Sequence, residues 1–248
     1  MIRIRGLKKR LGARQVLDGV DLDIGAGETV VVMGRSGTGK SVLLKHIIGL
    51  MSPDQGSIEI EGEDIVGMRE RDLDAVRRRF GMLFQGAALF DSLTVGENVG
   101  VGLREHQRLD DAEVRQRIAQ RLEWVGLSAV EEMKPASLSG GMRKRVGLAR
   151  AIAMDPQYIL YDEPTTGLDP IMADAIDQLI RGMQKRLGVT SVVVTHDMVS
   201  AYKVADRLAM LHEGKIVFTG TPEETRTTTN PMVRQFVSGS STGPIRAL

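Results

Sequence analysis

The sequence contains no cysteine, which excludes disulfides and thiolate metal sites and accords with a reducing compartment. Neither sign of charge is in excess: 33 Lys and Arg against 32 Asp and Glu leave a formal net charge of +1. Nothing in that balance calls for nucleic acid or an anionic membrane surface as partner. No apolar run approaches the roughly 18 residues that a bilayer span needs, so work at a membrane would require another chain to supply the span. The basic N-terminus Met1–Arg10 is followed by no apolar segment, and no secretory signal is predicted. Internal repeats, low-complexity segments and sustained heptads are also missing. What remains is 248 residues, 42% hydrophobic and 26% charged. That is enough for one α/β domain or a domain with a subdomain.

Val16–Ile24 alternates like a half-buried strand, and Thr29–Met33 is a β-branched run that reads as a buried one. A glycine-rich loop follows, then helical periodicity over Ser41–Leu50, a turn at Pro53–Gly56 and an alternating strand at Ser57–Gly62. From about Ala87 to Pro156 the pattern is helical, with Asp110–Val125 amphipathic and Asp110 or Asp111 as its N-cap. Beyond Pro156 the chain returns to strand Tyr158–Tyr161, helix Pro170–Leu187 and strand Ser191–Thr195. Leu208–Leu211 and Lys215–Thr219 read as final strands around the Glu213-Gly214 turn. Buried strands alternating with helices predict a mostly parallel sheet with right-handed crossovers, into which the helical block is inserted. The tail Ser238–Leu248 is expected to be mobile in isolation.

Gly34, Arg35, Ser36, Gly37, Thr38, Gly39, Lys40 and Ser41 fit the phosphate-loop pattern, placed between a predicted strand and a predicted helix as that motif requires. The glycines let backbone N–H groups turn onto phosphates, and the helix start, with Val42 in its first turn, adds the positive end of a dipole. Lys40 would reach the β- and γ-phosphates and the Ser41 hydroxyl would bind Mg²⁺. Downstream, the apolar strand Tyr158–Tyr161 ends in Asp162 and Glu163. Alone, such a pair is more often a strand end meeting solvent. With a phosphate loop upstream, Asp162 reads as part of the Mg²⁺ shell and Glu163 as the group that polarises the attacking water, because phosphoryl transfer needs positioning and charge. Ser139, Gly140 and Gly141, ahead of the amphipathic run Lys144–Ala153, form a second helix start able to bind phosphate. Two such starts and one set of acids suggest that halves meet across an interface.

With these residues the sequence resembles the ATP-binding cassette ATPases over nearly its whole length. Leu138-Ser139-Gly140-Gly141-Met142 is similar to their signature motif, which has Gln more commonly at the last place. Gln85 resembles the Q-loop glutamine, Gly167-Leu168-Asp169 the D-loop, and His196 after SVVVT the switch histidine. On spacing alone His196 is one of four histidines, and it is the order of the motifs that singles it out. The resemblance implies a phosphate-loop core, residues 1–86 and 157–225, with an N-terminal antiparallel β subdomain. It further implies a helical subdomain at 87–156 carrying the signature and a C-terminal extension at 226–248.

It implies too a head-to-tail dimer of two copies that hydrolyses ATP. Each ATP would lie between Gly34–Ser41 of one copy and Ser139–Gly141 of the other, with Val42 and Asp169 also among the nucleotide-binding residues. Gln85 would sense the γ-phosphate and help hold Mg²⁺, and His196 would orient water and γ-phosphate. The family's adenine-stacking aromatic falls near Leu11, where none is present; stacking is worth about 1–3 kcal/mol in nucleic-acid systems, so base selectivity is expected to be relaxed.

Phe84–Val99, Leu103–His106, LSGGM and Asn230–Gly239 resemble the Mla-type ATPases of lipid transporters built on MCE-domain proteins. That resemblance implies a permease, an MCE-domain protein and a small accessory subunit as partners. The cytoplasmic face of the inner membrane is the expected place, and phospholipid the expected cargo. A polar solute such as an amino acid stays open as an alternative, since this subunit rarely touches cargo. Phe84, Leu89, Phe90 and Leu93 read as local core for at least half their number, any exposed remainder marking a docking site. Met232, Val233, Phe236 and Val237 form an apolar face expected on the partner copy. Arg77–Arg79 and Arg143–Arg145 read as solvated helix faces.

Overall fold

The runs Thr29–Met33 and Thr190–Thr195 are fully buried, so both of their faces must be covered by other parts of the chain. The computed structural model describes residues 1–246. In chain order the elements are β1 (Ile2–Leu11), β2 (Arg14–Ile24), β3 (Thr29–Met33), α1 (Lys40–Ile47), β4 (Gln55–Ile60), β5 (Glu63–Asp64), α2 (Glu70–Arg77), β6 (Phe80–Leu83), α3 (Val95–His106) and α4 (Asp111–Trp124). After a 3₁₀ turn at Pro135–Ser137 come α5 (Gly140–Ala151), β7 (Tyr158–Asp162), α6 (Pro170–Leu187), β8 (Thr190–Thr195), α7 (Met198–Val204), β9 (Arg207–His212), β10 (Lys215–Gly220), α8 (Pro222–Thr227) and α9 (Pro231–Ser238). The chain forms two compact units, Met1–Asp74 with Thr190–Leu248, and Ala75–Val189.

In the first unit β9, β3 and β8 run parallel, with β10 antiparallel on β9. Each valine buried in β3 and β8 contributes on the order of 1.5–3 kcal/mol. The register sets Met33 beside both Thr195 and Met210, so the carboxyl ends of β3 and β8 lie level. A second, antiparallel sheet has the order β2-β1-β4-β5. Its strand β1 is the segment that reads from sequence only as a basic N-terminus. Ile2 and Ile4 are buried against Ile24, Leu22, Ile60 and Ile58, while Arg3 and Arg5 face outward. Arg5 grips Asp23 through both carboxylate oxygens at 2.7 and 2.8 Å. Helix α1 ends before Gly49, whose φ of +68° breaks the expected run to Leu50.

In the second unit β6 pairs in parallel with β7, Phe80 opposite Tyr158 and Leu83 opposite Tyr161. Helices α3, α4 and α5 pack together, burying Val99, Leu103, Ile118, Leu122 and Val146. Thr94 and Asp110 start α3 and α4 as reciprocal caps with Glu97 and Glu113.

Beyond α9 the chain packs back on that helix through Ile245. The Gln235 amide accepts from Ile245 N at 2.7 Å and donates to Ile245 O at 2.9 Å, and Ile245 is buried. The expectation of a mobile tail gives way here, because one buried glutamine satisfies both polar groups of a residue ten positions on. Ala247 and Leu248 lie outside the described residues. Val233 in α9 is buried within its own chain, with Met232, Phe236 and Val237 half-buried beside it. Among the described residues no helix is long and apolar enough to cross a membrane.

Candidate functional site

Parallel sheets bind ligands at the carboxyl ends of their strands, and each unit carries candidate residues there. In the first unit, β3 runs directly into Gly34 and β8 into His196, level with each other by register. The loop from Gly34 to Gly39 closes on itself. Lys40 donates to the carbonyls of Gly34 at 2.8 Å and Arg35 at 3.1 Å, and the Thr38 hydroxyl donates to Arg35 O at 2.9 Å. Gly39 at φ +103° leads into α1 without a side-chain cap, and the positive end of the helix dipole faces the loop.

Gly34 has no room for a side chain, since a Cβ there would sit 2.5 Å from the Leu211 carbonyl oxygen. Lys40 is buried, Ser41 and Val42 half-buried, and Ser36, Gly37 and His196 exposed. Two arginines tie the loop to its surroundings: Arg14 donates to Gly37 O at 2.9 Å, and Arg35 of the loop itself donates to Arg246 O at 2.6 Å. A cavity of about 710 Å³ opens beside it, lined by Arg14, Gln15, Ser36, Thr38 and Pro244–Arg246 among others. Leu11 is 42% exposed.

In the second unit, Leu83 opposite Tyr161 places Gln85 just past the end of β6, and Asp162 and Glu163 at and just past the end of the adjacent β7. Gln85 is exposed, while Asp162 and Glu163 are buried. Glu163 holds φ +49°, a conformation that costs a non-glycine residue about 1–3 kcal/mol, and its carboxylate accepts from the Thr166 hydroxyl at 3.1 Å. Ser139 caps α5, accepting from Met142 N at 3.2 Å, and Gly140 is exposed at the helix start. Gly141 is buried, and a Cβ there would lie 2.4 Å from Met172 Cε of α6. Asp169 accepts from Ile171 N and Met172 N at 3.0 Å, so its carboxylate caps α6.

The structure therefore groups the phosphate loop with His196, and groups Gln85 with Asp162 and Glu163. It also shows what the sequence reading missed. Lys144, taken as part of a solvated face, is buried, and its ammonium donates to the carbonyls of Gln85 and, at 3.1 Å, of Glu163. Burial lowers its pKa, while the negative charges of Asp162 and Glu163 act the other way. Arg150 holds the carbonyls of Ala87 at 2.6 Å and Ala88 at 2.7 Å. The signal was present in the helical period: position 144 shares its stripe with buried Gly141, Leu148 and Ala151. Of the apolar positions around Gln85, Phe84, Leu89 and Leu93 are half-buried and Phe90 is 53% exposed, so fewer are core than expected.

Parallel strands feeding a glycine-rich anion cradle, together with paired acids at a strand end, define a phosphate-loop nucleotide-binding protein. More narrowly, the chain belongs to the ABC transporter family, whose profile matches residues 17–166. It is 44% identical over 244 residues to "Probable ribonucleotide transport ATP-binding protein mkl" of Mycobacterium leprae, covering 98% of this chain and 70% of that one. It is 40% identical over 246 residues to "Intermembrane phospholipid transport system ATP-binding protein MlaF" of Haemophilus influenzae, covering 99% and 93%. Among solved structures it is similar to the "Dimeric structure of a post-hydrolysis state of the ATP-binding cassette MJ0796 bound to ADP and Pi". That match has a TM-score of 0.83 and 33% identity, and covers 90% of this chain and 99% of that one. The chain is thus the ATP-binding and ATP-hydrolysing subunit of an ABC transporter.

Proposed function

We propose that this ATPase drives phospholipid transport between membranes. It works as a head-to-tail pair of copies docked on a permease at the cytoplasmic face of the inner membrane, in a complex with an MCE-domain protein and a small accessory subunit. The observation that carries this reading is the extent of the likeness to MlaF. It spans 99% of this chain and 93% of the relative, beyond the part that matches the family profile. A polar cargo is the second reading, favoured by the 44% identity to a protein named for ribonucleotide transport.

Within the site, the loop amides of Gly34–Val42 and the Lys40 ammonium bind the β- and γ-phosphates. Ser139, Gly140, Gly141 and Asp169 of the second copy close over the nucleotide. Glu163 polarises the attacking water and His196 orients it against the γ-phosphate. The Ser41 hydroxyl, the Gln85 amide oxygen and the Asp162 carboxylate are all hard oxygen donors, a set that suits Mg²⁺. When bound, that ion neutralises phosphate charge. Residues 1–86 and 157–225 serve as the nucleotide-binding core, 87–156 as the helical subdomain and 226–248 as an extension.

The test is a mild-detergent capture of the tagged chain from membranes, with protein and lipid mass spectrometry. Recovery of a permease with an MCE-domain protein and phospholipid supports the proposal. A permease with a solute-binding protein would replace the cargo.

A further inference from the structure

Helix α5 carries two cations whose charged ends point into the chain instead of into water. Ordinarily a helical Lys buries its stem and keeps its ammonium solvated. Lys144 does the reverse: the residue is 5% exposed and its ammonium is divided between Gln85 O and Glu163 O. Both acceptors sit at unusual places. Glu163 is itself in the left-handed region at φ +49°, and Gln85 precedes Ala87 and Ala88 at φ +62° and +47°. The carbonyls of those two alanines are held by Arg150, about one and two-thirds turns further along the same helix. Strained non-glycine positions persist only where their surroundings over-determine them, and here the carbonyl of each accepts from a donor of α5.

We propose that Lys144 is a positioning residue for ATP hydrolysis. By bridging the carbonyls of Gln85 and Glu163, it locks the glutamine turn and the glutamate turn to the helix that begins with the signature Ser139–Gly141. The aim of the Glu163 carboxylate then follows the position of α5. An ammonium suits this task because it is compact and offers three donors to two converging oxygens. The buried carboxylates of Asp162 and Glu163 offset its desolvation.

This inference rests on Glu163 as the group that polarises water. The experiment compares MgATP turnover and thermal unfolding of the full chain with those of Lys144→Met, Lys144→Arg and Glu163→Gln. Lys144→Met should lower kcat by about tenfold to a hundredfold, as a displacement near 1 Å does, since the glutamate loses its fixed backbone. Its KM for ATP should stay within about twofold, because the phosphate loop is untouched. Lys144→Arg keeps the charge and the donors but not the compact head, so it should recover only part of the lost kcat. A double variant with Glu163→Gln should be little slower than Glu163→Gln alone, since the two act through one group.

Wild-type kcat in Lys144→Met or a loss confined to KM would each overturn the role. If Lys144→Met does not fold, Lys144→Gln is measured in its place. Its shorter neutral side chain cannot span both carbonyls, and the same kcat loss is expected. Full turnover in Glu163→Gln would remove the underlying reading of the glutamate. An inactive Glu163→Gln beside a fully active Lys144→Met would sink the Lys144 proposal alone.

Discussion

Replacing Gly34 with alanine adds one methyl group at the tightest point of the phosphate loop. That carbon would lie 2.5 Å from Leu211 O and 3.2 Å from Thr38 Oγ1. The hydroxyl can turn away. The carbonyl belongs to β9, whose neighbour Met210 is paired with Met33 immediately before the loop, so relief must come from moving Gly34 itself. Overpacking of this kind costs about 1–3 kcal/mol. For a chain of this size each kcal/mol lowers the unfolding midpoint by about 2–4 °C, so Gly34→Ala should melt about 2–12 °C lower than the parent.

The displaced loop should also lose ATP affinity by about tenfold or more, equivalent to at least 1.4 kcal/mol. Gly37→Ala is the internal control, because a Cβ there meets nothing within 4 Å although φ is +77°. It should show only the backbone strain of about 1–2 kcal/mol. Differential scanning calorimetry and equilibrium nucleotide binding read both effects. If Gly34→Ala melts and binds ATP like the parent, the carbonyl yields freely and the account of a rigid cradle is wrong.

Leu11 occupies the place of a base-stacking aromatic and is 42% exposed, so the parent should discriminate weakly between ATP and GTP. Leu11→Tyr should tighten ATP binding by about tenfold, within the 1–3 kcal/mol that stacking provides, and unchanged affinity would place the base elsewhere. Arg207 donates to both Glu28 oxygens at 2.7 and 3.0 Å. Burial raises the Glu28 pKa, but Arg207 and the Gly25 N–H together hold it below the ordinary carboxylate value. A depressed folded pKa means that this stabilisation is complete above the unfolded value and is lost as pH falls through the folded one. Arg207→Met should therefore destabilise by about 1.5–3 kcal/mol at neutral pH and shrink the acid-induced loss of stability. A parallel shift with no change in the pH profile would contradict the ion-pair account. Deleting residues 230–248 removes the anchor of Arg35 on Arg246 and should impair complex assembly and ATPase activity; undiminished levels of both would show the extension to be dispensable.

The parts of the fold legible in the sequence were those with a strong period or a chemically obligatory motif. Pro170–Leu187 was read to its ends because Pro stands at the first turn and Gly188 at φ +63° closes the helix. The phosphate loop was legible because its positive-φ positions are Gly34, Gly37 and Gly39, where glycine is favoured. Strand β1 was obscured because Arg3 and Arg5 alternate with buried Ile2 and Ile4 for only two pairs before a register shift brings Leu7 inward. Strand β6 has four buried residues and no alternation, and α2 is so charged that its one buried residue, Val76, gives no stripe. The role of Lys144 was hidden for another reason. A charged triplet on a helix looks solvated unless the turn it faces is known, and that turn comes from Gln85, some sixty positions earlier.

The most direct test of the hydrolytic site is MgATP turnover by Glu163→Gln. The substitution keeps the acceptor for the Thr166 hydroxyl, now at 3.1 Å, and removes only the negative charge. Loss of a general base costs about 10²–10⁴-fold in rate. The account therefore predicts that turnover falls within that range while ATP binding persists and the nucleotide-bound dimer accumulates in size-exclusion chromatography. Turnover at the parent rate would contradict it.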